Sequence, residues 1–297
     1  MTLPNSARPL PSKQLRFRWL TVGLFLLALA PGPVALGWLM LLGCDPYLVN
    51  DASARLPLGL TVGPAFAVLG GLIFGYRPHN RIGWLCLALG FCLSTNNAID
   101  LYAQCGLAGT IAAPGKAYAA WFLYSYGTFV ILPLIFLLPM VYPTGQFLSP
   151  RWRWFTVASL IVLILIYTGM GLVPDLSRSN GMDSFPVANP WGVLPLPGWW
   201  FSVFYALTNL SFVFLNLVGV AAMVVRFRRS VGDERQQMKW LAYFLTMAIG
   251  IQMLFFNLPG AFWYPQLLES IWFDLVLWLV FLGFPIVIGI AIFKYRL

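Results

Sequence analysis

The segment SIWFDLVLWLVFLGFPIVIGIAIF (Ser270–Phe293) decides the fold of this chain, because Asp274 is its one charged residue. A helix that crosses the hydrocarbon core of a bilayer needs about 20 mostly apolar residues, and this segment is long enough. Two cations, Lys294 and Arg296, follow it directly. The segment therefore predicts a helix that crosses a membrane and ends at a water boundary.

The rest of the 297-residue chain has the same character, with 60% hydrophobic and 9% charged residues and a mean hydropathy of +0.80. No water-soluble fold could bury so much apolar surface. We predict an all-α, polytopic membrane helix bundle over residues 19–293, with a basic tail at 1–18 and a short stub at 294–297. About eight transmembrane helices are expected: Trp19–Leu42, Pro57–Tyr76, Ile82–Tyr102, Tyr118–Tyr142, Trp154–Val173, Trp199–Val225, Trp240–Asn257 and Ser270–Phe293.

The distribution of charge predicts the orientation of the bundle. Fifteen of the 18 Lys and Arg residues fall on the side of the predicted bundle that holds the N-terminus. Cytoplasmic loops carry such an excess, so both termini are expected in the cytoplasm, an N-in/C-in topology. The net positive charge of the chain then reflects membrane insertion and contact with anionic lipid, and nucleic acid is not an expected partner. The first segment could be read as a signal peptide, but its apolar run continues past Pro31 to Leu42, which favours a retained helix.

Several classes of enzyme are excluded by the loops and by the histidine count. No predicted loop approaches the roughly 100 residues that a soluble catalytic domain needs. The single histidine, His79, falls in an inner loop and is expected to be solvated. Intramembrane enzymes that use a Ser–His pair or a metal need histidine within a span. We therefore predict no catalytic residue, metal site or cofactor in this chain.

Small residues recur at every fourth position of the second predicted span. Such a stripe lets two helix backbones approach closely in lipid. Packing within the chain is favoured over a homodimer seam, although both interpretations remain open, and either one places this face against protein. The residues are Gly59, Gly63, Ala67, Gly71 and Gly75.

Polar side chains collect in the outer half of the predicted bundle, and an ionisable group inside a span marks a candidate functional site. In the third span, Asp100 can share a face with Asn96 or Asn97. The alternative is that Asp100 and Asp274 lie near enough to headgroups to be hydrated. The full candidate ligand-binding set is Asn96, Asn97, Asp100, Tyr124, Tyr126, Gln252, Asn257 and Asp274.

Two of the four cysteines, Cys44 and Cys105, fall just beyond the outer ends of the first and third spans. Outside the cytoplasm they could form a disulfide, subject to a Cα separation that the sequence cannot supply. The other two, Cys86 and Cys92, fall within the third span and are expected to pack.

Four segments in order resemble the multi-pass N-terminal membrane region of bacterial sensor histidine kinases. They are RPHNRIGWL (77–85), YPTGQFLSPRWR (142–153), GDERQQMKWLAY (232–243) and PIVIGIAIFKYRL (285–297). In that family the last segment continues into a cytoplasmic sensory or kinase module, whereas this sequence stops at Leu297. The resemblance therefore implies a sensory input module without kinase activity of its own, in the bacterial cytoplasmic membrane. We expect a kinase or other signalling module to be attached in cis or supplied in trans.

The expected function is a signal-transduction module whose outer half senses a small apolar or amphipathic ligand, a peptide or the state of the membrane. Its last helix carries the output. A small transporter or permease is the first alternative, and a non-catalytic assembly subunit is the second. A set of cations is expected to anchor the inner face: Arg226, Arg228, Arg229, Lys294 and Arg296.

Overall fold

The computed structural model describes residues 12–44, 52–76, 80–123, 125, 136–174, 188–195, 198–251, 254–255 and 271–294. Its long elements in this part of the chain are all α-helices. They are α1 (Ser12–Leu29), α2 (Pro31–Leu41), α3 (Ala52–Tyr76), α4 (Arg81–Leu107), α5 (Lys116–Phe122), α6 (Pro150–Gly171), α7 (Gly198–Arg229), α8 (Gly232–Ile251) and α9 (Ile271–Lys294).

Three helical segments are long and apolar enough to cross a membrane: Arg81–Leu107, Pro150–Gly169 and Leu275–Ile292. The pair Trp19–Leu29 and Pro31–Leu41 meets the same test if the two helices form one span. Leu60–Tyr76 is a shorter apolar helix. The described residues thus support a membrane-embedded helical protein with three or four candidate spans.

The first predicted span, Trp19–Leu42, is not one straight helix. It is divided into α1 and α2, which meet at an angle of 48°. Pro31 and Pro33 cause the break, because neither has an N–H to donate to the carbonyl four residues earlier. Apolar length predicts one span here, and the two prolines divide it into two helices.

Two other predicted spans fall partly outside the described residues. Of Tyr118–Tyr142, the structure describes 118–123, 125 and 136–142, and of Trp240–Asn257 it describes 240–251 and 254–255. The count of eight spans and the N-in/C-in orientation therefore remain predictions.

The closest helix contact in the described part of the chain joins α3 to α4. A Cβ atom added to Gly90 would lie 2.6 Å from the backbone nitrogen of Ala67. One added to Gly70 would lie 2.5 Å from the backbone nitrogen of Leu87. The two backbones can meet in this way only where both helices carry small residues.

The predicted stripe on this helix contacts two partners rather than one. Gly63 faces Ser94 of α4, whereas a Cβ on Gly71 would lie 3.1 Å from the Phe25 ring of α1. Gly75 has nothing within 4 Å of its Cβ position, and Gly70, which is not in the stripe, continues the contact with α4. Successive fourth residues are rotated by about 40° around a helix, so the stripe turns away from a straight partner.

The remaining stripe positions complete this comparison. Ala67 is fully buried against α4, and the surroundings of Gly59 lie outside what the structure describes. In the described residues the small-residue face is used within the chain, at α4 and α1.

The last helix, α9, packs on α3 and α8. A Cβ on Gly289 would lie 3.4 Å from Leu69, and the rings of Phe244 and Phe284 meet edge to face at 5.4 Å. Among the described residues, buried side chains of α3, α4, α7, α8 and α9 form the largest hydrophobic cluster. The C-terminal helix is therefore part of the core.

Replacing Gly70 by Ala should destabilise the bundle by about 1–3 kcal/mol, because the new Cβ would press on the backbone of α4. Gly75→Ala, on the same helix, is the matched control and should be neutral or slightly stabilising, because Ala favours helix. Thermal unfolding of the purified protein in detergent measures both. Equal melting temperatures for the two variants would contradict the α3–α4 contact described here.

Candidate polar site at the break in the first helix

The candidate site is centred on two polar residues of α4, Ser94 and Asn97. They lie about 20–24 Å along the helix from Arg81, past the middle of a typical hydrocarbon core. Ser94 is fully buried and Asn97 is only 8% exposed. Being three residues apart, they share one face of the helix, and that face is turned towards α2 and α3.

Ser94 lies within the close contact between α3 and α4. A Cβ on Gly63 would be 2.5 Å from the Ser94 hydroxyl oxygen and 2.9 Å from its backbone nitrogen. Any larger residue at position 63 would displace Ser94. The glycine therefore makes room for the polar group.

Asn97 lies beside the break between α1 and α2. A Cβ added to Gly32 would be 3.5 Å from the Asn97 amide nitrogen and 3.7 Å from the carbonyl oxygen of Ser94. Because Pro31 and Pro33 lack N–H groups, the carbonyls of Leu27 and Leu29 cannot accept the usual helical hydrogen bonds. The break thus brings backbone acceptors to the level of a buried side-chain amide. Discontinuous helices of this kind form binding sites in many membrane proteins.

Four neighbouring polar atoms of α4 are buried without a hydrogen-bond partner among the described residues: Ser94 Oγ, Thr95 Oγ1, Asn96 Oδ1 and Asn97 Nδ2. Each such atom typically costs about 1–3 kcal/mol of folding free energy. Asp100, one turn further on, does have an interaction of its own. The cluster offers donors and acceptors, and it would gain stability from any group that satisfied them.

A disulfide closes the end of this region that lies beyond α2. Cys44 and Cys105 are bonded with a Cα–Cα distance of 6.0 Å, which joins the end of α2 to the end of α4. Leu39 and Leu101 are buried with the two cysteines in one small hydrophobic cluster. The bond, which the sequence left open, holds α2 over the polar cluster.

One hydrogen bond connects α9 to this region. Trp278 donates its indole N–H to the hydroxyl of Thr61 at 2.7 Å. Thr61 precedes Gly63 by two residues in α3. The C-terminal helix therefore contacts the same stretch of α3 that contacts Ser94.

Arg226, at the end of α7, is 7% exposed. Its guanidinium donates to the Thr144 hydroxyl at 2.8 Å and to the carbonyl of Met140 at 3.0 Å. A third bond goes to the carbonyl of Gln146. Arg226, which follows the apolar part of α7, has a pKa lowered by burial, and the Glu234 carboxylate acts in the opposite direction. An arginine remains charged under these conditions.

The predicted inner-face cations thus have different surroundings. Arg226 anchors the turn at 142–146, whereas Arg228 and Arg229 are exposed. Lys294 lies over the Trp240 ring at 5.4 Å, a cation–π contact between α9 and α8. Arg296 lies outside the described residues.

The predicted ligand-binding residues are brought together only in part. Asn96, Asn97 and Asp100 belong to the cluster on α4, and Asp274 lies in the first turn of α9, with its side chain outside the description. The others lie outside the described residues: Tyr124, Tyr126, Gln252 and Asn257. Among the residues searched, no three His, Cys, Asp or Glu side chains come together as a metal site.

Sequence reasoning missed Ser94, Thr95 and Thr61, because hydroxyl residues are common in membrane helices and cause no break in hydropathy. It also missed Gly32. The signal that could have found Gly32 is its position between two prolines, within an apolar run.

Comparison of the chain with protein-family models, curated proteins and solved structures finds no match.

Replacing Asn97 by Leu, of similar volume, should leave stability unchanged or raise it by about 1 kcal/mol, because an unpartnered buried amide is removed. Asn189→Leu is the matched control. The Asn189 amide donates to the carbonyls of Gly171 at 2.8 Å and Val173 at 2.6 Å. Losing those bonds should cost about 1–3 kcal/mol. Thermal unfolding in detergent compares the two variants. An equal loss of stability in both would mean that the Asn97 amide already has a hydrogen-bond partner within the protein.

Proposed function

We propose that this chain is a sensory input module of a bacterial signalling protein of the histidine-kinase type, located in the cytoplasmic membrane. The polar cluster on α4 receives the hydrogen-bonding group of a ligand. The C-terminal helix α9 carries the response to a signalling module joined to it or bound by it. Two things support the proposal: the resemblance of the sequence to the membrane region of sensor histidine kinases, and the contacts that link the polar cluster to α9.

The observation that carries the proposal is the hydrogen bond from Trp278 to Thr61. A ligand that satisfies Ser94 and Asn97 acts on the contact of α4 with α3 at Gly63. Because Thr61 is two residues away, a change in this contact alters the position that Trp278 prefers. A ligand that favours one of two arrangements in this way shifts their populations.

The buried contacts of α9 suit it to transmit such a change. Ile288 and Ala291 are fully buried, and Gly283 allows the Phe244 ring of α8 to approach the α9 backbone. Packed elements of this kind shift as units, because a close-packed core does not deform continuously. At the inner end, the stacking of Lys294 on Trp240 provides a second contact whose geometry changes with α9.

We also propose eight spans with both termini in the cytoplasm. The described helices that support this arrangement are α4, α6, α9 and the bent pair α1–α2, together with the shorter apolar part of α3. The disulfide between Cys44 and Cys105 is consistent with an oxidising outer side, because disulfides persist outside the cytoplasm.

A transporter is the second candidate, and one specific observation favours it. The 48° break between α1 and α2, beside a buried amide, resembles the broken helices at transporter binding sites. The eight predicted spans contain no Lys or Arg to balance a charged substrate, so an uncharged substrate would be expected. Uptake of labelled solutes into vesicles, compared for wild type and Asn97→Leu, distinguishes transport from sensing.

Replacing Trp278 by Phe should change the output of a chimera in which a histidine-kinase domain is fused after Leu297. Loss of one hydrogen bond is worth about 0.5–1.5 kcal/mol, which alters a two-state balance by about 2- to 12-fold. Autophosphorylation in membranes measures the change. Trp272→Phe is the matched control, because Trp272 lies on the same helix and is 67% exposed. If both variants autophosphorylate at the wild-type rate, the hydrogen bond from Trp278 to Thr61 does not couple the polar cluster on α4 to α9.

Reporter fusions should place the two ends of the chain on the same side. Green fluorescent protein should fluoresce when fused at either terminus, and alkaline phosphatase should be active when inserted after Gly115, in a predicted outer loop. These results follow from the excess of Lys and Arg on the inner side. Active phosphatase at either terminus would contradict the proposed topology.

A further inference from the structure

An open groove of about 230 Å³ lies between α1 and α3, beside the stretch of α1 that precedes the break in the first helix. It is lined by Thr21, Val22, Phe25, Val68, Gly71 and Leu72. Only Thr21 brings a polar side chain to the lining. The groove is open along one side and is not an enclosed cavity.

The groove exists because Gly71 has no side chain. The Phe25 ring lies 3.1 Å from the Cβ position of Gly71 and forms the base of the contact. On either side, Val22, Val68 and Leu72 are each a little over 40% exposed, so the walls are half covered by protein. A long, narrow apolar molecule would cover the exposed parts of these walls.

Charge is found at one end of the groove. Contacts of Gly32 with Leu60 and of Gly71 with Phe25 show that α3 runs antiparallel to the first helix. The groove therefore runs towards the start of α1, where Lys13, Arg16 and Arg18 are found. Arg18 precedes Val22 by four residues, so its position shares the groove face of α1, about 6 Å further along the helix.

Aromatic residues lie at the same end of the groove as these cations. Trp19 and Tyr76 lie at the groove end of α1 and α3, and both are strongly exposed. Exposed Trp and Tyr are typical of the headgroup level of a bilayer. The groove thus begins at the headgroups and extends along the acyl region of one leaflet.

We propose that this groove binds one anionic phospholipid, with an acyl chain against Gly71 and Phe25 and the headgroup at the basic start of α1. The apolar lining selects a hydrocarbon chain, and each nearby cation contributes about 1 kcal/mol towards an anionic headgroup. A helix from a second copy is disfavoured as the occupant. A two-fold dimer through this face would bring the basic start of each α1 towards its counterpart, and like charges repel.

The test uses the full chain, delipidated in detergent and titrated with phosphatidylglycerol or phosphatidylcholine of identical acyl chains, with native mass spectrometry as the readout. Wild type should bind one phosphatidylglycerol more tightly than phosphatidylcholine. Val68→Trp, which fills the groove, should weaken binding of both lipids at least tenfold. Arg18→Gln should leave phosphatidylcholine binding unchanged and reduce the preference for phosphatidylglycerol about fivefold.

Ile161→Trp is the matched control, because Ile161 is an exposed residue of α6 away from the groove. This variant should bind lipid as tightly as the wild type. Leu72→Trp provides a second groove variant if Val68→Trp fails to fold. Equal lipid binding by the groove variants and the control overturns the proposal, as does the absence of headgroup preference in wild type. Conversion of a dimer to a monomer by Val68→Trp, with lipid binding unchanged, would identify a second copy as the occupant and would also overturn it.

Discussion

The close approach of α3 to α4 is the contact from which the rest of the described structure follows. Lipid provides no hydrophobic driving force between helices, so association depends on short backbone distances and interhelical hydrogen bonds. Gly63, Ala67, Gly70 and Gly90 make those distances possible. Once this pair is formed, α2 and α1 pack on one part of it and α9 on another. Ser94 is fully buried at one end of this contact, opposite Gly63.

The polar cluster on α4 is held between fixed points. At one end the Cys44–Cys105 disulfide joins α2 to α4, and at the other end Arg226 bonds to the turn at 142–146. Between them the first helix is broken at Pro31, where its backbone bonds are incomplete. Polar groups that are buried without a partner among the described residues therefore occur beside a discontinuous helix, and this coincidence makes the region the best candidate for a site.

The apolar groove and the polar cluster use the first helix in different ways. Before the break, α1 packs on Gly71 of α3 and leaves an apolar groove open along one side. After the break, α2 lies against α4 beside Asn97. The two proline residues thus separate a half that lines an open apolar groove from a half that covers polar side chains.

The sequence by itself determined the class of structure and named candidate residues for a site. Apolar length predicts helices that can cross a membrane, because backbone groups in lipid must be satisfied within a helix. The cost of burying polar groups identifies Asn96, Asn97 and Asp100 as candidates. The spacing of small residues indicates a protein-facing surface on α3, but it does not name the partner helix.

Only the tertiary structure decided which residues meet. A four-residue stripe turns by about 40° at each step, so Gly63 and Gly71 contact different helices, and Gly70 replaces Gly71 at the α4 contact. The pairing of Cys44 with Cys105 and the bond from Trp278 to Thr61 join residues far apart in the chain. A local sequence pattern cannot predict such contacts, because they depend on how several helices pack together.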